Sequence, residues 1–461
     1  MKRRKYVKYA KGVALITSMI FLIVFSALAV AMASLSGSNL QIAENQRKGD
    51  HARACAESGL EVMHYWLDQV AVPGDTPQSQ VFSQFASSFQ TETYDISNLV
   101  PAYDGESTMS VPNITLDSAR AKSFSAVVSP VGTETVQADI TGTYAGLTKT
   151  LRVNYKIATR AHTVFDFGVA TKGPLSLQGN ILLEGVNISV ESSVYIESYD
   201  SALALEIIGN SQIGGDVSIA NSSASVSLQG GMAGIGGETG SDAIENHVSY
   251  GVAPVEFPSP NPGYFEHYAT NIVDSSTDMS EDATYENIRI AAGTNPNFTG
   301  NVTLKGVVFI ETPNVVTFAG NAEITGIIIG DGELEDNSGT NRIEFQGTVD
   351  SNPVSVLPAE EQFTGLHDET GTFLMAPGFH VSFGGNFSTL SGAIAGNGIE
   401  FFGNAGGTIN GSVLNYSDEE MTLSGNSDLF FNRSGTTEVP AGFVPEIILE
   451  YDPNSYAEIA I

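Results

Sequence analysis

The chain has 461 residues, 42% of them apolar and 16% charged, which is length for two or three domains and too apolar a composition for a wholly disordered protein. Twenty Lys and Arg against 52 Asp and Glu leave a net charge of −32, a surface that repels phosphate backbones and argues against nucleic acid as a partner. The single cysteine excludes an intramolecular disulfide, a Cys-rich zinc site and a CxxC redox pair. Abundant glycine, 48 residues, with one tryptophan suits short strands joined by tight turns.

In chain order, residues 1–12 form a basic leader carrying six cations: Lys2, Arg3, Arg4, Lys5, Lys8 and Lys11. No charged side chain follows from Val13 to Ala43, and Val13–Leu35 is dominated by apolar residues. As a helix these 23 residues reach about 35 Å, enough to cross a hydrocarbon core of about 30 Å. The cationic side stays cytoplasmic by the positive-inside rule, which puts the remainder outside. A cleaved secretory signal ending near Ala31-Met32-Ala33 is one reading of this segment and a plain signal anchor a second. A third comes from the junction Lys11-Gly12-Val13-Ala14-Leu15-Ile16, where a glycine directly precedes the apolar helix.

Beyond the apolar run, Leu40, Ala43, Ala52, Cys55, Ala56, Leu60, Met63, Tyr65 and Leu67 recur at roughly helical spacing, and the first turn signal is Pro73-Gly74. The pattern predicts one helix over residues 13–72, half in lipid and half outside. A basic leader ending in glycine, an apolar helix and its amphipathic extension resemble the N-terminus of type IV pilin-like proteins, most of all the PilX-type minor pilins and the K-type pseudopilins of type II secretion. Lys11-Gly12-Val13-Ala14-Leu15-Ile16-Thr17 and Ala52-Arg53-Ala54-Cys55-Ala56-Glu57-Ser58-Gly59-Leu60-Glu61 carry the resemblance; the latter is similar to the family's A-x-x-A-A-E-x-G-L element.

The resemblance implies a prepilin peptidase as partner, which cuts after Gly12 and methylates Val13. It also implies a single-pass precursor in the bacterial inner membrane with its N-terminus cytoplasmic, its head in the periplasm or at the cell surface, and other pilins or pseudopilins as neighbours. Most pilins carry Glu at the fifth mature position, where this chain has Thr17. A buried ammonium in a packed shaft needs an anion from the next subunit. Thr17 lacks one, which suits a tip or initiating subunit; the plainer reading has Thr17 hydrogen-bonding within its own helix.

Residues 73–163 read as a small β-rich connector, with hairpin grammar over 124–157 around Ala145-Gly146. Residues 164–435 hold an internal repeat. Gly-Asn recurs at Gly179-Asn180, Gly209-Asn210, Gly300-Asn301, Gly320-Asn321, Gly385-Asn386, Gly396-Asn397, Gly403-Asn404 and Gly425-Asn426. Each time the residue two before the glycine is apolar: Leu177, Ile207, Phe298, Phe318, Phe383, Ile394, Phe401 and Leu423. Spacings near 20 residues predict a parallel β-helix (a solenoid) with glycine at the corners in positive φ and asparagine in a ladder. Hairpin turns of an antiparallel sandwich are the other reading. Segments 231–297 and 331–377 break the rhythm and are expected to leave the coils as loops, and 436–461 is expected to be a C-terminal cap or tail. The fold class is therefore mainly β with a long N-terminal α-helix.

Catalytic constellations are fragmentary. Asp166-Phe167-Gly168 has no accompanying kinase elements, GGMAGIGGETG at 230–240 lacks a phosphate-loop Lys, and the seven histidines never adopt a metal spacing such as HExxH. Asp331, Glu333, Glu335 and Asp336 are weak calcium candidates without EF-hand spacing; K-type pseudopilins bind calcium as a family, and a solvated acidic loop is the alternative. Otherwise no cofactor is expected, and no enzyme. The function expected is that of a structural minor pilin, at the tip or in initiation, displaying an acidic head for adhesion to a surface or glycan ligand. A type II secretion tip pseudopilin is the first alternative and a membrane-anchored polysaccharide-acting enzyme the second.

Overall fold

The computed structural model describes residues 11–91, 101–334, 339–433 and 439–459. They divide into two units. One comprises the chain up to Val72, Thr76–Ala158 and the chain from Ile447 on; the other comprises Pro73–Asp75 and Thr159–Glu446.

The first unit is built on a 58-residue helix, Lys11–Asp68, and a seven-stranded sheet. Met109–Asp117, Lys122–Pro130, Thr135–Tyr144 and Leu147–Arg160 pair antiparallel in sequence order. Thr135–Tyr144 alternates half-buried and buried positions, with Val136, Ala138 and Ile140 inward, as a sheet with one face on a core must. The hairpin closes at Tyr144↔Leu147 through Ala145 and Gly146, both at positive φ (48° and 82°), so it is a two-residue turn of the primed type. A second helix, Val81–Thr91, lies within the segment expected to be a β-rich connector; Val81, Phe82, Phe85, Ala86 and Phe89, all buried, recur at helical spacing. Glu446–Ile459, in the segment expected to form a terminal cap, is instead a 14-residue strand of this antiparallel sheet, hydrogen-bonded beside Leu147–Arg160. Ile447 and Leu449 explain the placement, since both are buried in the sheet's core.

Among the described residues the second unit has three sheets whose strand pairings are parallel apart from one short antiparallel pair, Gly234–Ile235 with Glu238–Thr239. The chain visits them in rotation. Val169–Thr171, Leu175–Gly179 and Leu182–Gly185 enter the 12-, 9- and 7-stranded sheets in turn, and Val194–Ile196, Leu203–Gly209 and Gln212–Ile213 repeat the round in register beside them. Apolar side chains from every one of these strands point to a shared core, one from some (Val169, Ile213) and two or more from others (Leu175 and Leu177, Val194 and Ile196). In the nine-stranded sheet Leu228, Ile207, Leu177, Leu423, Phe401, Phe383, Phe345, Phe318 and Phe298 form one column. Its five phenylalanine rings stack 4.8–5.1 Å apart, within 7–11° of parallel. That separation is the inter-strand spacing itself, so register alone sets the rings face to face.

The glycines following this column have a common cause. A Cβ on Gly179, Gly209, Gly320, Gly385 or Gly425 would overlap the carbonyl oxygen of the glycine one strand away. Gly179 also sits at φ 122°, whereas Gly320 has an ordinary φ and is held to glycine by contact alone. Positive φ therefore accounts for only part of the column. The asparagines form side-chain ladders: Asn210 donates to Asn180 (2.8 Å), Asn180 to Asn426 (2.8 Å), and Asn321 to Asn301 (3.0 Å).

Strand order departs from chain order. In all three sheets the first strand lies between the second and the last: Val169–Thr171 pairs with Val413–Asn415, Leu175–Gly179 with Met421–Gly425, and Leu182–Gly185 with Asp428–Phe431. The chain thus starts mid-stack, climbs to Val248–Tyr250 at one edge, crosses to Asn271–Val273 at the other, and climbs back. The crossing segment, residues 251–270, has about 66 Å of reach at ~3.3 Å per residue, more than the ~48 Å of ten inter-strand steps.

Much of both segments expected to leave the sheets lies within them, as Ala283–Ile290, Arg342–Phe345, Val349–Asn352 and Thr372–Ala376. Their acidic and Pro-rich neighbours obscure these strands in the sequence. The parts that do leave, with residues 439–443, cover the outer face of the 12-stranded sheet: Phe265, Val354, Leu357, Phe363, Leu366 and Phe443 pack on Val307, Phe309, Ile327, Ile329 and Met375. Buried on both faces, this sheet carries continuous apolar runs such as Val307–Ile310.

Phe345→Ala should destabilise the second unit by about 3–5 kcal/mol, the cost of a large cavity in a packed column, read as a lower urea midpoint. A second expectation concerns acid. Glu191 is buried and accepts from the backbone N–H groups of Asn187 (2.8 Å) and Arg433 (3.2 Å) and from the Asn187 side chain. Burial pushes its carboxyl up, but these donors outweigh burial and hold it below the ordinary 4.5. Its contribution is therefore complete above the unfolded-state value and lost as pH falls through the depressed folded-state value. Glu191→Gln should be less stable at pH 7 and lose less stability on acidification below about pH 4.5, measured by urea unfolding at stepped pH.

Candidate functional site

A helix of 58 residues is about 87 Å long, and its two halves differ in what they touch. From Ala14 the helix is long and apolar enough to span a membrane, with mean hydropathy 2.5 in its most apolar window and none of that window buried. Leu15, Phe21, Leu22, Phe25 and Val30 are all more than 60% exposed. Gly12 and Val13 lie at the start of this helix. The Thr17 hydroxyl donates to the Ala14 carbonyl at 3.0 Å, a bond back to its own helix.

The second half lies on the antiparallel sheet, and small residues set how closely. Ala52, Cys55, Ala56, Leu60, Met63 and Leu67 are buried. Gly142, on Thr135–Tyr144, faces the backbone of Ala52 and Ala56, so a Cβ there would overlap the Ala52 carbonyl and the Ala56 amide. Gly59 meets the Phe124 ring and Ile140 in the same way. The Ala52…Glu61 element is therefore the surface on which the helix seats. On its exposed edge Arg53 pairs with Glu57 at 3.0 Å, and Tyr456 donates to the same carboxylate at 3.2 Å. Cys55 is a free thiol within this contact, and burial pushes its pKa up.

A family profile described as PilX N-terminal matches residues 11–61. The N-terminus is that of a type IV pilin-like protein. Its matched stretch takes in the junction at Gly12, the exposed apolar half and the Ala52…Glu61 seat, so both functional halves of the pilin-like helix fall within it. No curated protein matches the chain. Among solved structures the chain is similar to the competence-associated pilin ComZ from Thermus thermophilus, with 11% identity over 89% of this chain and 97% of that one, at a TM-score of 0.25. So slight a likeness carries no argument.

In the second unit the repeat positions Gly179, Asn180, Gly209, Asn210, Gly300, Asn301, Gly320, Asn321, Gly385, Asn386, Gly403 and Asn404 all fall at or just beyond the ends of strands in the nine-stranded sheet. Gly396-Asn397 belongs to the 12-stranded sheet instead. Two rows escape the sequence pattern, Phe345…Gly347 and Leu228…Gly230, because Thr348 and Gly231 stand where the other rows have asparagine. A search for apolar-x-Gly alone would have found both. Of the calcium candidates, Asp331 and Glu333 join no metal-ligating group among the described residues, and Glu335 and Asp336 lie outside those residues.

One group among the described residues brings three candidate metal ligands together: His162, Glu256 and Glu446, with ligand atoms within 4.8 Å of one another. His162 and Glu446 are only 5% and 6% exposed. His162 Nε2 lies 3.1 Å from the Val444 carbonyl oxygen, His162 Nδ1 lies 3.1 Å from Glu446 Oε1, and Arg160 Nε donates to Glu446 Oε2 at 2.8 Å. Burial pushes the Glu446 carboxyl up, but His162 and Arg160 outweigh it and the net displacement is downward. The sequence does not announce the group, because its members lie far apart in the chain and share no motif spacing. A cleft of about 350 Å³ in this unit is lined by Gly74, Asn261, Tyr264, Glu369 and residues 439–445. In it Tyr264 donates to Glu369 at 2.5 Å, and this carboxylate pushes the phenol up to about 12.

Gly142→Leu should force helix and sheet apart and cost about 3 kcal/mol or more, as overpacking against backbone does. The expected readout is lost protection of the Cys55 thiol from alkylation in the native protein, with Gly142→Ala intermediate.

Proposed function

We propose that this protein is a minor pilin-like subunit of a type IV pilus or a related filament, sitting at its tip or acting in its initiation, with the second unit as an adhesive head. The carrying observation is the two-sided helix: one end seated on its own sheet through Ala52, Ala56 and Gly142, the other wholly exposed and apolar. Such a segment needs lipid before assembly and neighbouring helices after it. In this reading the precursor is held in the inner membrane with the basic leader cytoplasmic and the rest outside, and a prepilin peptidase cuts between Gly12 and Val13. The three-sheet unit is a parallel β-helix, a reading supported by the rotation of strands among sheets and by the unbroken Leu and Phe column. The role is structural rather than enzymatic.

The tip position rests on two arguments. Thr17 offers no carboxylate to pair with a neighbour's buried ammonium, and its hydroxyl is engaged by Ala14. Some 390 residues beyond the helix also make a head too bulky for close repetition along a shaft.

N-terminal sequencing of the protein from cells with and without prepilin peptidase should give methyl-Val13 in the first case and the uncleaved chain in the second. A mature terminus near Ala33, or an intact Met1 in both, would sink the assignment. Thr17→Glu should raise the number of copies per filament, measured by quantitative immunoblotting of sheared filaments; an unchanged ratio would count against Thr17 as the determinant of position.

A further inference from the structure

The His162 group leaves one position to be filled, between its buried Nδ1 and the Glu446 carboxylate 3.1 Å away. Nε2 is directed at the Val444 carbonyl, an acceptor with no hydrogen to give, so Nε2 carries the ring hydrogen. In the neutral ring that leaves Nδ1 as a lone pair, 3.1 Å from a carboxylate oxygen that is also a lone-pair donor. Nδ1 is fully buried and makes no directed hydrogen bond. Two acceptors facing each other out of water repel, and either a proton on Nδ1 or a metal cation between them removes the repulsion; the position of Glu256, a third donor within 4.8 Å, favours the metal.

Three further features select the cation. Donation by Nε2 to a backbone carbonyl is the outer hydrogen bond that orients metal-ligating histidines and raises their basicity. Arg160 holds Glu446 Oε2 and thereby aims Oε1 at the imidazole. Glu256, on the segment crossing the outside of the stack, brings a third donor within 4.8 Å from an exposed position. Two donors each ~2.0–2.1 Å from a tetrahedral ion stand about 3.3 Å apart, close to the 3.1 Å observed. Calcium fits poorly, since it takes about 6–8 oxygen ligands, whereas one imidazole and two carboxylates suit zinc and its first-row neighbours.

We infer that His162 Nδ1, Glu446 and Glu256 form a binding site for one zinc-class divalent cation in the three-sheet unit, with a fourth position open to solvent. The site joins three chain segments: the one leaving the strand Leu147–Arg160, the crossing segment 251–270, and the start of the strand Glu446–Ile459. It stands independently of the filament reading.

The test uses the full chain in detergent micelles, stripped of metal and titrated with Zn(II) by calorimetry and with Co(II) by visible absorption. The expected result is saturation at one equivalent, with intense Co(II) bands of a four-coordinate site that excess Ca(II) leaves in place. Glu256→Gln, at an exposed position, should weaken binding at least about tenfold, a loss of the size seen when groups supporting a metal site are removed. His162→Gln should abolish the bands. Should His162→Gln fail to fold, Glu256→Gln carries the test. Absence of one-equivalent binding, displacement by calcium at similar concentration, or equal affinity in wild type and Glu256→Gln would overturn the site. So would a His162 imidazolium NMR signal at neutral pH that Zn(II) leaves unchanged, which would make a proton the occupant.

Discussion

The contact on which the second unit depends is backbone against backbone at the glycine column. Neighbouring strands of a parallel sheet stand about 4.8 Å apart, and at Gly179, Gly209, Gly320 and Gly425 the carbonyl of the preceding row occupies the space a Cβ would need. That approach lets each row turn out of the nine-stranded sheet at the same height as the row beneath. Because the rows turn together, the residue two places earlier always lands on the same column, and five phenylalanines stack at the strand spacing. A single larger side chain in the glycine column would tilt one row, break the ring stack on one side and the asparagine ladder on the other.

A second consequence follows from strand order. Because the first row lies between the second and the last, the chain both enters and leaves the stack in the middle. The crossing segment that this order requires also contributes to the cover on the outer face of the 12-stranded sheet, where its Phe265 joins residues 354–366 and Phe443. A simple stack would leave that apolar face to water or to a partner. Here Phe265, Phe363 and Phe443 fill it, and the same crossing segment delivers Glu256 to His162.

The pilin-like helix obeys a different logic, since its two halves answer to different surroundings. Its outer half is apolar on every side, long enough to cross a membrane, and its most apolar stretch is left unburied by the described residues. Its inner half has one face of alanine, cysteine and glycine because a sheet lies against it at close range. The Ala52…Glu61 element marks the seat. Gly142 completes it from the sheet side, and nothing in the hairpin's alternating pattern distinguishes that glycine from a turn residue.

By itself the sequence determined what depends on short-range periodicity: the long helix and its change of character after Ala43, the hairpin at Ala145-Gly146, and the eight apolar residues preceding Gly-Asn, all of them buried. Each of these is written in spacings of a few residues, where chain geometry leaves little choice. Tertiary structure alone decided that Val413–Asn415 lies on Val169–Thr171, that Glu446–Ile459 joins the antiparallel sheet, and that His162 meets Glu256 and Glu446. These are pairings between distant segments, and any parallel strand with the same apolar alternation would satisfy the same edge. Which strand reaches it is fixed by the path of the whole chain, a quantity no local window contains.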